Sequence, residues 1–369
     1  MAAAAPLRFV SSEKSMFYQT LHARVDAYFK DHHLSKFANG NVVIKTFILL
    51  TVYLAPFVYM LWVQPSFGLS MALWAVMGVG LAGVGMSIMH DANHGAYSGN
   101  TEVNKWVGYT LMLLGGSVTT WKLQHNYLHH TFTNVTNYDD DIADKPGLRL
   151  SPHATLKPIH RFQWLHALFI YSLVTLYWVT SKDFLQIFRY AEQGVNKNTK
   201  AENRRLLLRV TVGKLFYFLV IVGLPLAVGI PFLTLLAGFL LMHFIGGVIL
   251  TVIFQLAHAV EETAYPLPDK TGVLENDWAI HQMLTTVNFS RNNKLISWYV
   301  GGLNFQVEHH LFPKICHVHY PKIAPIVEKT AKEFHVPYLE HKSFFHALRS
   351  HFRLLKKLGK LPAMDDMMG

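Results

Sequence analysis

The chain has 369 residues, of which 51% are hydrophobic and only 15% are charged, whereas a soluble domain usually carries about 25% charged residues. This composition is typical of a polytopic membrane protein. The formal net charge is +10, which we ascribe to cytoplasmic segments, since no nucleic-acid-binding motif accompanies it. The single cysteine, Cys316, excludes an intrachain disulfide and an iron–sulfur site held by cysteines alone.

Four apolar runs are long enough to cross a bilayer, which needs about 20 apolar residues. The predicted spans are residues 42–63, 69–89, 212–229 and 231–255. Short, uncharged loops join the first span to the second and the third to the fourth, so we expect two transmembrane hairpins. The Lys and Arg residues lie outside these loops, which places the rest of the chain on the cytoplasmic side.

Another apolar run, at residues 162–179, is interrupted by Gln163 and His166. If His130 and His258 contribute to one site, an even number of membrane crossings must separate them, and the second hairpin already supplies two. We therefore expect this run to lie in the interface or to re-enter. The expected fold is all-α and polytopic, with four transmembrane helices in two hairpins and a helical cytosolic cap. The cap comprises residues 1–41, 90–211 and 256–369 of a single catalytic domain, 1–369, whose termini are both cytoplasmic.

Three histidine clusters lie at the predicted membrane edges. They are His90 and His94 in HDANH, His125, His129 and His130 in HNYLHH, and His309 and His310 in QVEHH. Residues four apart share one face of a helix, so the spacing within the first two clusters can direct two imidazoles to one place. Any one pair is also explained by interfacial histidines without a ligand role. Three clusters on one predicted side favour a metal site.

His258 is a further candidate ligand, because it leaves the fourth predicted span at the depth where His90 leaves the second. Imidazole binds iron, copper, nickel and zinc, and eight neutral donors suit two metal ions better than one. Gln306 stands three residues before His309, where its amide oxygen can bind a metal or a metal-bound water. Four carboxylates can accept the distal N–H of liganding imidazoles, namely Asp91, Asp139, Asp140 and Asp141. The Asp triplet is equally explained as a solvated acidic loop.

A histidine-rich site for two metals at a membrane edge is compatible with several chemistries. A zinc hydrolase needs fewer ligands and a general base, and the HExxH motif is absent. A metal transporter would line a path across the bilayer with its ligands. Oxygen activation at a di-iron site fits better, because it breaks unactivated C–H bonds of lipid chains. An oxidant of this kind can remove two hydrogens from the chain, or it can insert one oxygen atom, as a lipid hydroxylase or alkane monooxygenase does.

The motifs HDANH, HNYLHH and QVEHHLFP resemble the three histidine boxes of the membrane fatty acid desaturases, and the third box resembles that of the front-end (Δ6, Δ5 and Δ8) subgroup. The similarity extends from about Phe37 to Tyr338. It implies two iron ions held by the box histidines, with His258 matching an additional family histidine and Gln306 the box-three glutamine. It also implies dioxygen as co-substrate and a membrane lipid or acyl-CoA as substrate.

Many front-end desaturases carry a fused b-type cytochrome domain with an HPGG haem motif, which this sequence lacks. We therefore expect electrons from a separate redox protein, a ferredoxin or a small b-type cytochrome, and ultimately from NAD(P)H. The acyl chain would enter an apolar tunnel. Its candidate lining residues, which packing alone explains equally well, are Trp121, Trp298, Tyr299 and Phe305.

Overall fold

The computed structural model describes residues 7–10, 15–143, 145 and 147–362. These residues are mostly helical. Their α-helices are α1 (Met16–Asp31), α2 (Gly40–Val63), α3 (Phe67–Gly83), α4 (Met89–His94), α5 (Thr101–Gly108), α6 (Val118–Lys122), α7 (His130–Phe132), α8 (Gln163–Ser172), α9 (Val174–Tyr177), α10 (Asp183–Glu192), α11 (Lys200–Phe218), α12 (Leu224–Ala227), α13 (Phe232–His258), α14 (Trp278–Thr285), α15 (Lys294–Tyr299), α16 (Gln306–Leu311), α17 (Tyr320–Glu333) and α18 (Phe344–Leu358).

Short segments of other kinds connect these helices. Turns of π-helix cover Val84–Ile88, Leu123–His129, Trp178–Lys182 and Leu219–Gly223, and 3-10 turns cover Tyr109–Leu114, Pro158–Phe162 and His317–His319. The strands, of two residues each, are β1 (Arg8–Phe9), β2 (Val273–Leu274), β3 (Asn288–Phe289) and β4 (Glu340–His341). They form two parallel pairs, β1 with β2 and β3 with β4.

Four helical stretches are long and apolar enough to span a membrane, which confirms the predicted number of candidate spans. They cover Gly40–Val63, Phe67–His94, Lys200–Ala227 and Phe232–His258. The third begins at Lys200, well before the predicted residue 212. Thr199 and Glu202 form a reciprocal capping box there, so the charged residues that we expected in an aqueous segment form the first turns of the helix.

The interrupted apolar run belongs to a bent pair of helical segments, Pro158–Ser172 and Val174–Glu192, which meet at 48°. Together they pass the same test of length and composition, so the described residues hold up to five spans if the pair counts as one. The bend is compatible with a broken span or a re-entrant segment. The interfacial or re-entrant placement of this run therefore stays a prediction.

The chain divides into two compact units. Unit A comprises residues 38–123 and 168–252, and its core contains buried aromatic and aliphatic side chains of α2, α3, α11 and α13. Helices α2 and α3 approach closely at Gly80, where a Cβ atom would lie 2.8 Å from the backbone nitrogen of Tyr53. Away from this crossing, a buried ion pair joins Lys214 to Asp183 at 2.8 Å.

Unit B comprises the described residues of 1–37, 124–167 and 253–369. In its main core, Leu21 and Val25 of α1 lie with Val327 and Ala331 of α17, and all four are fully buried. Helix α18 is held in this unit at its carboxyl end by Arg149. That guanidinium is fully buried and donates hydrogen bonds to the carbonyl oxygens of Leu358 and Leu361, both at 2.6 Å.

Candidate metal site

Three histidines of unit B bring ring nitrogens together. One ring nitrogen from each of His129, His258 and His310 lies within 4.8 Å of those of the other two. The three side chains are fully buried, and in the part of the chain that the structure describes their Nε2 atoms have no hydrogen-bond partner. Buried polar atoms are nearly always hydrogen-bonded. Three converging nitrogens without such partners therefore fit a metal ion.

The other nitrogen of each ring is held by an oxygen atom. Nδ1 of His129 lies 3.0 Å from Oδ2 of Asp139, and Nδ1 of His258 lies 3.3 Å from the carbonyl oxygen of Thr285. Nδ1 of His310 lies 2.7 Å from Oε1 of Gln282. A carboxylate, a carbonyl and an amide oxygen accept hydrogen bonds only, so each Nδ1 carries the proton. The lone pair is then on Nε2, which is the tautomer that a metal ligand needs.

The electrostatic surroundings of these rings differ. Burial by itself disfavours both charged forms, but the attraction between Asp139 and His129 outweighs it, so the pKa of His129 is raised and that of Asp139 is lowered. Burial, followed by the neighbouring imidazoles, holds the pKa of His310 well below its ordinary value. His310 therefore stays neutral, which leaves its lone pair available to a cation.

The remaining histidines of boxes two and three lie beside this trio in unit B. The His130 ring is 4.3 Å from that of His310 and 4.6 Å from that of His309, measured between centroids. Nε2 of His130 lies 3.3 Å from Nε2 of His125. Nδ1 of His309 is hydrogen-bonded to the Tyr320 hydroxyl at 3.1 Å. Unit B thus collects six of the eight predicted ligands.

A π-helical turn shapes the second box. The sequence spacing predicted a pair at His125 and His129, four residues apart on one face. Because Leu123–His129 is π-helical, the ring of His125 lies closer to that of His130, five residues on, than to that of His129. The two distances between ring centroids are 4.8 Å and 5.2 Å. Single turns of π-helix occur frequently at functional sites. Here the wider turn gathers three imidazoles where an α-helical turn would favour two.

His90 and His94 belong to unit A and lie on α4, directly after the π-helical turn Val84–Ile88. Their ring centroids are 4.7 Å apart, and the Trp121 ring contacts each at 5.8 Å, edge to face. Both histidines are at least nine-tenths buried. The predicted pairing on one face of a helix therefore appears in the structure within this unit.

The acidic triplet is not uniform. Asp139 is fully buried and accepts hydrogen bonds from the backbone N–H groups of Asn134 and Asp141, at 2.9 and 3.0 Å, as well as from His129. Asp141 lies 3.6 Å from Nδ1 of His129 and accepts a hydrogen bond from Gln124. Asp140 is half-buried. The role of the triplet stays a prediction, and Asp139 is the member with the shortest contact to a candidate ligand.

The remaining predicted site residues are distributed over both units. Asp91 is buried beside His90 on α4 in unit A. Gln306 opens α16 and is buried, and its Oε1 atom has no hydrogen-bond partner among the described residues of the chain. Phe305 lies in the main core of unit B. Trp298 is 41% exposed and Tyr299 half-buried, so the tunnel lining stays a prediction.

Sequence reasoning missed four residues that hold the histidines or their helix. Gln282, Thr285 and Tyr320 supply hydrogen-bond partners to rings of candidate ligands, namely His310, His258 and His309. Glu308, between the box-three residues, is fully buried and accepts hydrogen bonds from Tyr338 and Asn288 at 2.7 and 2.8 Å, and burial raises the pKa of Glu308 to about 7. Only Glu308 carried a local signal, since it lies inside a recognised motif.

The comparisons with known proteins agree with this geometry. Residues 66–342 match the family model described as fatty acid desaturase. The sn-1 linoleoyl-lipid 6-desaturase of Synechocystis is 35% identical, over 96% of this chain and 98% of its own length. The acyl-lipid (8-3)-desaturase of Physcomitrium patens is 38% identical, over 96% of this chain and 74% of its own. Delta(5) fatty acid desaturase A of Dictyostelium discoideum is 32% identical, over 95% and 76% respectively. The chain therefore belongs to the fatty acid desaturase family and is a fatty acyl desaturase of the front-end type.

Proposed function

We propose that the enzyme introduces a front-end double bond into a fatty acyl chain carried on a membrane lipid, using two iron ions. The observation that carries the metal assignment is the trio of His129, His258 and His310, with three converging Nε2 atoms and three Nδ1 atoms held by acceptors. Neutral imidazole is a suitable ligand for iron. The remaining proposed ligands are His90, His94, His125, His130 and His309, and Gln306 is proposed to bind a metal or its water.

The protein residues bind and orient the metals and take no proton from the substrate. Asp139, Gln282 and the Thr285 carbonyl fix the ring orientation, and burial excludes water from the site. When bound, iron supplies the reductive activation of dioxygen that the reaction needs. Two hydrogens leave adjacent methylenes, and with two electrons and two protons from outside they reduce dioxygen to two waters. The electrons come from an external redox protein, a ferredoxin or a small b-type cytochrome.

The proposed substrate is an acyl lipid, not acyl-CoA. The similar proteins of Synechocystis and Physcomitrium patens are named a linoleoyl-lipid 6-desaturase and an acyl-lipid (8-3)-desaturase. Supplying the purified enzyme with labelled linoleoyl glycerolipid in one reaction and linoleoyl-CoA in another distinguishes the carriers. Product formed only from the CoA ester would contradict this assignment.

We further propose two transmembrane hairpins, with the active site and both termini in the cytoplasm. The second and fourth candidate spans end at His94 and His258, so each delivers a proposed ligand at its carboxyl end. Accessibility tags at Ser66 and Ile230, in the two short turns, are expected to report the outside and tags at the termini the cytoplasm. Termini on opposite sides of the membrane would exclude this topology. The same proposal treats residues 1–369 as a single catalytic domain.

The decisive experiment is reconstitution with iron, a reduced electron donor and oxygen, followed by mass spectrometry of the acyl products. The expected product has lost two hydrogens, whereas a hydroxylase would add one oxygen. His129→Ala is expected to abolish product and lower bound iron. His153→Ala, at a half-buried histidine of unit B that bonds the Tyr265 carbonyl, is the matched control. Wild-type iron and activity in His129→Ala would overturn the proposal.

A further inference from the structure

The charged side chains on the outer face of α18 are all basic. Between residues 342 and 360 the sequence has no Asp or Glu. Its exposed cationic or titratable residues recur every three or four positions, as expected for one face of a helix. They are Lys342, His346, Arg349, Arg353, Lys356, Lys357 and Lys360. Basic residues along a single face produce a positive potential that attracts an acidic partner.

Most of these charges have no ion-pair partner among the residues that the structure describes. In the described ranges of the chain, Lys342, Arg349, Lys357 and Lys360 have no ion-pair partner, whereas Arg353 has a long contact to Glu261 at 3.9 Å. Phe345, on the same face, is 77% exposed. Aromatic and Arg side chains are enriched at protein interfaces, so Phe345 with Arg349 and Arg353 supplies candidate anchors for a partner.

The inner face of α18 is attached to the residues that directly follow His258. Nδ1 of His351 donates to the carbonyl oxygen of Ala259 at 2.6 Å, and the Glu261 N–H donates to the Ser350 hydroxyl at 2.9 Å. Leu354 and Leu358 pack against Ala259. Helix α18 alone therefore lies between the basic surface and the segment that follows His258, a proposed metal ligand.

The arrangement of α18 favours a protein partner over a bilayer surface. An interfacial membrane helix turns a wide apolar face toward the lipid. In α18 the apolar face points inward, where Ala347, Leu354, Leu355 and Leu358 are buried in unit B. The outer face holds basic residues and the exposed aromatic side chain of Phe345 near the start of the helix. Its chemistry therefore complements an acidic surface with one apolar contact.

We propose that the basic face of α18 is the docking surface for a small acidic one-electron carrier protein, an inference that rests on the proposed di-iron desaturase function. The carrier is oxidised by one electron at each encounter. Two encounters supply the two electrons that, with two protons and the two substrate hydrogens, reduce dioxygen to two waters. Docking here would place the carrier against the helix that contacts Ala259, next to His258.

The test uses the whole 369-residue chain in neutral nanodiscs and a plant-type [2Fe–2S] ferredoxin as the probe. In the variant Arg349→Glu/Lys357→Glu, we expect ferredoxin affinity, measured by titration calorimetry at low salt, to fall at least tenfold. Wild-type affinity should decline steeply with added salt. The matched control is Lys322→Glu/Lys329→Glu, which makes the same charge change at two exposed lysines of α17 and is expected to bind ferredoxin like the wild type.

A second readout separates docking from the integrity of the site. The ratio of product formed with ferredoxin to product formed with chemically reduced methyl viologen should fall about tenfold in the α18 variant and stay constant in the control. Unchanged ferredoxin affinity in the α18 variant would overturn the proposal. It would equally be overturned if, in parallel nanodiscs that contain phosphatidylglycerol, the variant lost only its response to that lipid, because the surface would then bind lipid. Absence of product with both reductants in the wild type would instead contradict the proposed function.

Discussion

Nδ1 of His129 and Oδ2 of Asp139 lie 3.0 Å apart, and both side chains are fully buried. The carboxylate also accepts two backbone N–H groups, from Asn134 and Asp141. The loop after box two thus folds around one carboxylate, and that carboxylate orients one imidazole. The local fold of the loop and the geometry of the candidate metal site consequently depend on the same group.

Replacing Asp139 by Asn is expected to weaken metal retention by about 10–100-fold. Both oxygens of Asp139 face N–H donors, so either orientation of the amide directs its NH2 group at another donor. Iron per protein after purification, measured by mass spectrometry, checks this. Asp140→Asn, at the half-buried neighbour, is the control and should keep wild-type iron. Equal iron in the two variants would show that Asp139 does not orient a ligand.

Gln282 accepts hydrogen bonds from Nδ1 of His310 at 2.7 Å and from the Thr133 hydroxyl at 2.8 Å. Gln282→Leu removes the acceptor at nearly constant volume, which leaves the buried Nδ1–H of His310 without this partner at a cost of about 1–3 kcal/mol. The Thr133 hydroxyl keeps its hydrogen bond to the His129 carbonyl oxygen at 2.6 Å. We expect reduced iron content and a lower melting temperature. Gln282→Glu keeps an acceptor oxygen and should retain more iron than the leucine variant. The reverse order would contradict this role.

Gly80 permits the close contact between α2 and α3. In Gly80→Ala the new Cβ atom would lie 2.8 Å from the backbone nitrogen of Tyr53, and a backbone cannot rotate away as a side chain can. We expect a lower melting temperature and a smaller folded fraction in detergent, with a cost of about 1–3 kcal/mol. Gly68→Ala has open space within 4 Å and should behave like the wild type.

Arg149 donates to carbonyl oxygens at the carboxyl end of α18, including those of Leu358 and Leu361. Arg149→Met fills much of the volume but leaves buried carbonyls without donors, which costs roughly 3 kcal/mol or more in total. Thermal unfolding should therefore begin at a lower temperature, and protease should cleave near α18 sooner. Arg161→Met, at an exposed arginine, should unfold like the wild type. Identical protease sensitivity in both variants would show that Arg149 does not hold this helix end.

The boxes and the number of candidate spans could be predicted because both are local patterns. Hydrophobic runs and His spacing are readable within about twenty residues. The partners of the ligand rings could not be predicted in this way, because Gln282 precedes His310 by 28 residues and the partner of His258 is a main-chain carbonyl. The approach of His125 to His130 was also missed, because a π-helical turn has no clear sequence signature.

The three groups that accept hydrogen bonds from His129, His258 and His310 differ in chemical kind. Amino-acid substitution can remove two of them but not the third. Asp139 and Gln282 act through side chains, whereas Thr285 acts through its carbonyl oxygen, which every amino acid possesses. Saturation mutagenesis should therefore find positions 139 and 282 intolerant and position 285 permissive for small residues. Part of the candidate metal site thus depends on the path of the backbone. A sequence alignment would show variation at position 285 even though its carbonyl oxygen holds a ring of the site.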